Sequence, residues 1–279
     1  MWKTELCIGL LGRTGLPDTE QLDIIKKVGF DGYFPLWNEQ MDLRSLCAYG
    51  ESVGLKLQSV HAPFGKVDSL WYPNEHTETV MQRLLACFRA SAEVSAPVVV
   101  IHPFITFTRN EATEDGIRNF KILADKAGEL GLKLAIENVE GEAYLDALMD
   151  AFRNDEHIGF CWDTGHEMCY NRHRDLIADY GDRLLCTHLN DNLGIRSREG
   201  NITFHDDLHL LPFDGIADWD GIAQRLKNCG YDGPLTFELK RDTTLNGCQH
   251  FLYDQSSVEG YLTQAYIRAC RVAAKVIGQ

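Results

Sequence analysis

No two cysteines of this chain lie within four residues of each other, although it carries nine. That spacing excludes zinc ribbons and Cys-x-x-Cys redox motifs. Several thiols, among them Cys7, Cys161 and Cys186, sit inside apolar runs where a free Cys acts as a small core residue. No run approaches the roughly 18 apolar residues of a membrane span. Basic residues are scarce, 27 Lys and Arg against 41 Asp and Glu, for a formal net charge of -14. A nucleic-acid partner, which needs a basic face, is therefore not expected. The first run, MWKTELCIGLLGR, is too short for a secretion signal and lacks a small-residue cleavage site. A cytoplasmic, reduced protein is the expectation.

What is present is a rhythm. Short apolar runs at 5–12, 30–37, 55–64, 97–104, 132–139, 158–165, 183–191 and 234–241 alternate with amphipathic segments. In DTEQLDIIKKVGF, for example, Leu22, Ile25 and Val28 repeat at helical spacing, Asp18 or Thr19 supplies a cap, and Gly29 ends the helix. The longest helical segments run from about Glu75 to Val94 and from about Val258 to Val276. Strands separated by helices pair in parallel through right-handed crossovers. No Gly-x-Gly-x-x-Gly follows the first strand, so an open dinucleotide-binding sheet lacks its phosphate turn. Eight units in 279 residues predict a (β/α)₈ barrel, with residues 1–279 as one domain. The longest break in the rhythm, residues 193–217, is an extended loop of the kind that carries function.

In a barrel of this type the site lies at the C-terminal ends of the strands. Reading those ends in order gives His61, His102, Glu137, Asp163, His188 and Glu238. His166 follows the sixth strand, and Asp207 and His209 lie in the long loop. Five of the ten His fall in this set. Six charged or imidazole side chains meeting at one mouth would be costly without compensation, and a divalent cation would supply it. In the stretch CWDTGHEMC, Asp163 ends the strand and Gly165 lets the chain turn so that His166 reaches the same mouth. Cys161 and Cys169 are bystanders in this reading. The structural alternative pairs Glu137 or Glu238 with a barrel lysine, Lys133 or Lys240. Trp37, Phe64, Trp71, Tyr72, Phe104 and Trp162 collect near the mouth, where rings can stack on a ligand and exclude water, and residues 64–74 read as a mobile lid.

The order HAPF, IHP, ENVE, DTGH, HLNDN, DLHLLPFDGIADW and FELK resembles the xylose isomerase-like TIM barrels, and within them the sugar phosphate isomerase/epimerase group. The resemblance runs over essentially the whole chain. It implies one divalent ion held by Glu137, Asp163, His188 and Glu238, manganese first, with magnesium, cobalt or zinc as alternatives. It also implies that Glu137 and Glu238 serve as acid and base in a sugar or keto-sugar isomerase or epimerase. His166 would contact the substrate. Endonuclease IV belongs to the same family, and its trinuclear zinc site has counterparts in all nine of these residues, so His61, His102, His166, Asp207 and His209 are substrate contacts or further ligands. A zinc phosphoesterase, a dehydratase or cyclitol enzyme, and an inactive polyol-binding barrel are the alternatives. Relatives carry Pro-Gly-x-Gly after the Asp-x-His pair, and here Phe213 replaces the first Gly. Arg196 and Arg198 are candidates for the arginine that contacts sugar hydroxyls. GCQHFLYDQSS offers no evident phosphate nest, which favours an unphosphorylated small sugar or polyol. Homo-oligomers are common among such proteins.

Overall fold

Apolar runs without alternation can be satisfied only where both faces are covered, and a parallel sheet wrapped by helices covers both. The computed structural model describes residues 4–245, 252–253 and 255–278. Its strands are β1 (Leu6–Gly9), β2 (Gly32–Phe34), β3 (Lys56–Leu57), β4 (Val60–His61), β5 (Val99–Ile101), β6 (Leu134–Glu137), β7 (Ile158–Asp163), β8 (Leu184–His188) and β9 (Leu235–Phe237). The helices between them are α1 (Asp18–Val28), α2 (Leu43–Ser52), α3 (Thr77–Glu93), α4 (Glu114–Glu129), α5 (Glu142–Ala151), α6 (Thr164–Cys169), α7 (Leu176–Tyr180), α8 (Trp219–Asn228) and α9 (Val258–Ile277). No helix among the described residues is long and apolar enough to cross a membrane.

The strands hydrogen-bond in two parallel arrays, β3-β2-β1-β9 and β4-β5-β6-β7-β8. Single parallel bridges, Leu36 to His61 and Leu189 to Phe237, join them. Since β3 and β4 share one position, the ring closes with eight, as a TIM barrel does. The third strand, expected as one run over 55–64, is divided because its first half pairs with β2 and its second with β5. At the other end of the expectation, α9 and α3 are indeed the longest helices, of 20 and 17 residues. Helix α1 begins at Asp18 with Pro17 ahead of it and no side-chain cap, so neither Asp18 nor Thr19 caps it. Gly29 ends it with φ 121°, and a β-carbon there would lie 2.6 Å from the Tyr266 ring.

Period-two alternation along each strand sorts the barrel. Ile8, Val99, Ile101, Leu134, Ile136, Phe160, Trp162 and Phe237 join the main core against the helices. Val98, Val100, Ala135, Cys161 and Cys186 form a separate small cluster on the opposite face, the barrel interior. These interior side chains are small, and the residues two positions further along β6, β7 and β8 are Glu137, Asp163 and His188. On β5 to β8 the interior face thus carries small apolar side chains and presents Glu137, Asp163 and His188 at its C-terminal rim.

Candidate active site

One ligand atom from each of Glu137, Asp163, His188 and Glu238 lies within 4.8 Å of the other three. Glu137, Asp163 and His188 are fully buried, while the Glu238 side chain keeps 24% of its surface. His188 Nδ1 stands 3.2 Å from Glu137 Oε1 and 3.2 Å from Glu238 Oε2. His61 Nε2 and His102 Nε2 approach Glu137 Oε2 at 3.2 and 3.3 Å. On the other side, Asp207 Oδ1 lies 2.8 Å from His209 Nε2 and 3.4 Å from His166 Nε2. All nine polar residues read from the strand ends and the long loop thus meet in one cluster.

Backbone carbonyls select the imidazole tautomers. His61 Nδ1 donates to the Ala62 carbonyl at 2.8 Å, His166 Nδ1 to Asn138 at 2.9 Å, and His209 Nδ1 to Glu238 at 3.0 Å. A carbonyl can only accept, so these Nδ1 atoms carry the protons and Nε2 is left as a lone pair. Each of those Nε2 atoms faces a carboxylate oxygen, another acceptor. Such contacts need either an added proton or a metal cation. With protons alone, burial acts to discharge His188, but Glu137 and Glu238 outweigh it and hold its imidazolium well above the usual range. The same balance, through Asp163 and Asp207, raises His166 well above its ordinary value. Burial pushes the Asp163 carboxyl up against the pull of His166 and His209. Nitrogen and carboxylate donors of this kind suit manganese, magnesium, cobalt or zinc. Cys161 lies close by, but burial pushes its thiol well above the usual range, so it stays protonated.

Neighbouring amides fix the carboxylates. The Asn138 side chain donates to the Asp163 carbonyl at 2.8 Å and accepts from the Asp163 amide at 2.7 Å. Asn190 Nδ2 donates to Asp163 Oδ2 at 2.8 Å. The His166 amide donates to Asp163 Oδ1 at 2.6 Å, which makes Asp163 the cap of α6. A β-carbon at Gly165 would sit 1.9 Å from Asn190 Oδ1, so the glycine is required for this close approach. Asp191 binds the long loop down. Its Oδ1 accepts from the amides of Asn192 and Ala217, both at 2.9 Å, and its Oδ2 from the Phe213 amide at 2.8 Å and Trp219 Nε1 at 2.9 Å. Phe213 adopts φ 73°, the left-handed conformation that the missing glycine would favour. Its ring, 3.9 Å from the Arg271 guanidinium carbon and 5.5 Å from the Trp219 ring, offsets that cost.

A cavity of about 410 Å³ opens beside the cluster, with Arg13, Phe34, Leu36, Phe204, Glu238 and Lys240 among its lining residues. Phe64 stacks on His102 with ring centroids 4.4 Å apart, so it does reach the site. Other aromatic expectations are corrected. Trp162 alternates with Asp163 and therefore faces the helices, with Arg225 4.5 Å over its ring. Trp37 is buried in the core, and its neighbour Leu36 lines the cavity. Trp71 and Phe104 pack on Tyr144 with centroids 4.8 and 3.9 Å apart, away from the cluster. Tyr72 donates to the Glu111 carbonyl at 2.5 Å and does not line the cavity beside the cluster. The 64–74 segment is anchored, since Val67, Leu70 and Trp71 are buried and Trp71 Nε1 donates to the Pro103 carbonyl at 2.6 Å. Arg196 is turned into its own loop, toward Asp206 at 3.2 Å and the His205 carbonyl, so it braces the loop. The segment GCQHFLYDQSS lies largely outside the described residues.

The strand-end reading missed four residues. Asn138 and Asn190 adjoin or nearly adjoin the cluster residues, and Asp191 lies in the HLNDN run, so proximity in sequence was the available signal. Glu140 is buried, accepts from the Thr106 amide at 2.7 Å, and burial pushes its carboxyl up to about 7.

A family model of the xylose isomerase-like TIM barrel matches residues 22–259. An uncharacterized protein, y4fM of Sinorhizobium fredii, is 27% identical and the match covers 79% of this chain and 80% of that protein. D-psicose 3-epimerase from Clostridium cellulolyticum H10, solved with D-tagatose, superposes with a TM-score of 0.73 at 13% identity, over 96% of this chain and 99% of that one. The IOLI protein, solved with a bound zinc atom, gives a TM-score of 0.73 at 17% identity, over 99% of this chain and 100% of that one. At these identities the two structures speak for the fold.

Proposed function

The chain belongs to the xylose isomerase-like TIM barrel family, and from that premise we propose that it is a metal-dependent isomerase or epimerase of a small sugar or keto-sugar. The observation that carries the proposal is the meeting of Glu137, Asp163, His188 and Glu238 within 4.8 Å at the edge of a substrate-sized cavity. The nature of the D-psicose 3-epimerase and the zinc in the IOLI protein support it. A divalent ion held by those four residues would polarise the substrate carbonyl as a Lewis acid. Manganese is the first expectation, with zinc, cobalt and magnesium chemically suited.

The remaining chemistry belongs to this chain's side chains. A hydrogen on carbon beside a carbonyl is a weak acid, and its removal gives an enediolate. Glu238 faces the cavity as a carboxylate, held below its ordinary range because His188 and His209 overcome the effect of burial. It takes the proton. Glu137, three strands round the ring, is held as a carboxylate because His188 and His102 outweigh burial. The proton it returns to the neighbouring carbon, or to the other face of the same carbon, therefore reaches it from the His188 imidazolium, which Glu238 then recharges. His188 keeps the two carboxylates in register through its contacts with both. Phe34, Leu36 and Phe64 limit water at the mouth, which protects the enediolate from unguided protonation. The strongly acidic balance of the chain argues against DNA as a substrate. The test is a panel of ketoses, keto-acids and cyclitols incubated with the enzyme in deuterium oxide. Chelator-sensitive deuterium incorporation beside the carbonyl, with an isomer or epimer formed, is expected. Cleavage of an abasic-site duplex without exchange into any ketose would overturn the reading.

A further inference from the structure

Lys240 lies two residues beyond Glu238, and both line the cavity. Its amide donates to the His209 carbonyl at 3.0 Å, which ties this segment to the 207–209 turn. The turn is tied a second time by His209 Nδ1, which donates to the Glu238 carbonyl at 3.0 Å. Between these anchors the Lys240 ammonium reaches Asp207 Oδ2 at 2.8 Å. Of the two barrel lysines that could have paired with a catalytic carboxylate, Lys240 takes this loop aspartate instead.

The other oxygen of Asp207 faces His209 Nε2 and His166 Nε2. Asp163, His166 and His209 each offer a ligand atom within 4.8 Å of the others. The chain thus keeps donors for a second cation beside those for the first. We propose that Lys240 is a built-in cation that neutralises Asp207 and thereby keeps a second divalent ion out of the His166 and His209 side of this centre. The inference rests on the metal-dependent reading of the cluster and adds the element that closes that side.

The physical reason is repulsion at short range. A doubly charged ion held by Asp163, His166 and His209 would lie against Asp207, whose carboxylate is already paired with the Lys240 ammonium. At an effective dielectric constant of about 20, such repulsion weakens binding by on the order of a hundredfold or more. The ammonium also replaces the ion's service to Asp207, whose carboxyl stays well below the ordinary range as His209, Lys240 and His166 outweigh burial. In this arrangement His166 and His209 remain available to substrate hydroxyls next to the single ion.

The experiment is titration of the metal-free full chain with zinc and, separately, with manganese, counting bound ions by native mass spectrometry. The unaltered chain, Lys240→Met and Lys240→Arg are compared. One tight ion is expected for the unaltered chain and for Lys240→Arg, which keeps the charge. Lys240→Met is expected to take a second ion at least a hundredfold more tightly than the unaltered chain does. Zinc should then also raise the thermal midpoint of Lys240→Met further than that of the unaltered chain. Equal stoichiometry and affinity in Lys240→Met and the unaltered chain overturn the inference, as does a second tight ion in the unaltered chain that is lost in His209→Ala. Binding of no ion by any of the three would instead overturn the metal-dependent reading itself.

Discussion

Glu238→Gln is expected to reduce solvent-deuterium incorporation into the substrate by about a thousandfold or more, the upper part of the range for a positioned acid or base. The amide cannot take a proton at the pH where the carboxylate does, and it removes a charge opposite His188. Glu137→Gln is expected to be as severe for a different reason. Both Glu137 oxygens are surrounded by imidazole nitrogens, His61 and His102 on one and His166 and His188 on the other. An amide would offer a donor where some of these nitrogens already donate. Bound metal measured on the same samples separates the two effects, because a variant that keeps its ion and loses exchange has lost the proton carrier. Full exchange retained in either variant would remove that residue from the mechanism.

Asp191→Ala is expected to cost about 3–5 kcal/mol of stability, because it leaves several donors without an acceptor at about 1–3 kcal/mol for each one that stays buried. Its carboxylate is fully buried and accepts four hydrogen bonds, from Asn192, Phe213, Ala217 and Trp219. Three of the four donors belong to the segment that leads from the long loop into α8. Removing the acceptor leaves them buried and frees Phe213 from its left-handed conformation. For a chain of this size, each kcal/mol lowers the thermal midpoint by about 2–4 °C. Chemical denaturation should show the loss, and limited proteolysis should cut between residues 193 and 217 before the rest. A loss below about 1 kcal/mol would show that water replaces the carboxylate and that Asp191 does not hold the loop.

The barrel was legible because its signal is local. Each strand is a short apolar run and each helix an amphipathic one, and a charged or imidazole residue at successive strand ends is visible without knowing any contact. The outward direction of Trp162 is itself legible from sequence, since a strand that turns Asp163 inward must turn Trp162 outward. The division of the third strand was not visible, because which neighbour each half pairs with depends on the closure of the ring. Lys240 was equally hidden. Its partner could be Glu238 at two residues' distance or Asp207 at 33, and only the folded turn at 207–209 decides. Arg196 reads as a substrate contact when its loop is unknown, yet it is held by Asp206 ten residues later. Local alternation thus reveals which residues reach the rim, whereas long-range loop packing decides what each one meets there.

Elemental analysis of untagged protein, purified without chelator, tests the account most directly. About one divalent ion per chain, lost in His188→Ala, is the result expected from the convergence of Glu137, Asp163, His188 and Glu238. No bound ion, even after dialysis against manganese, magnesium, cobalt and zinc in turn, would contradict it.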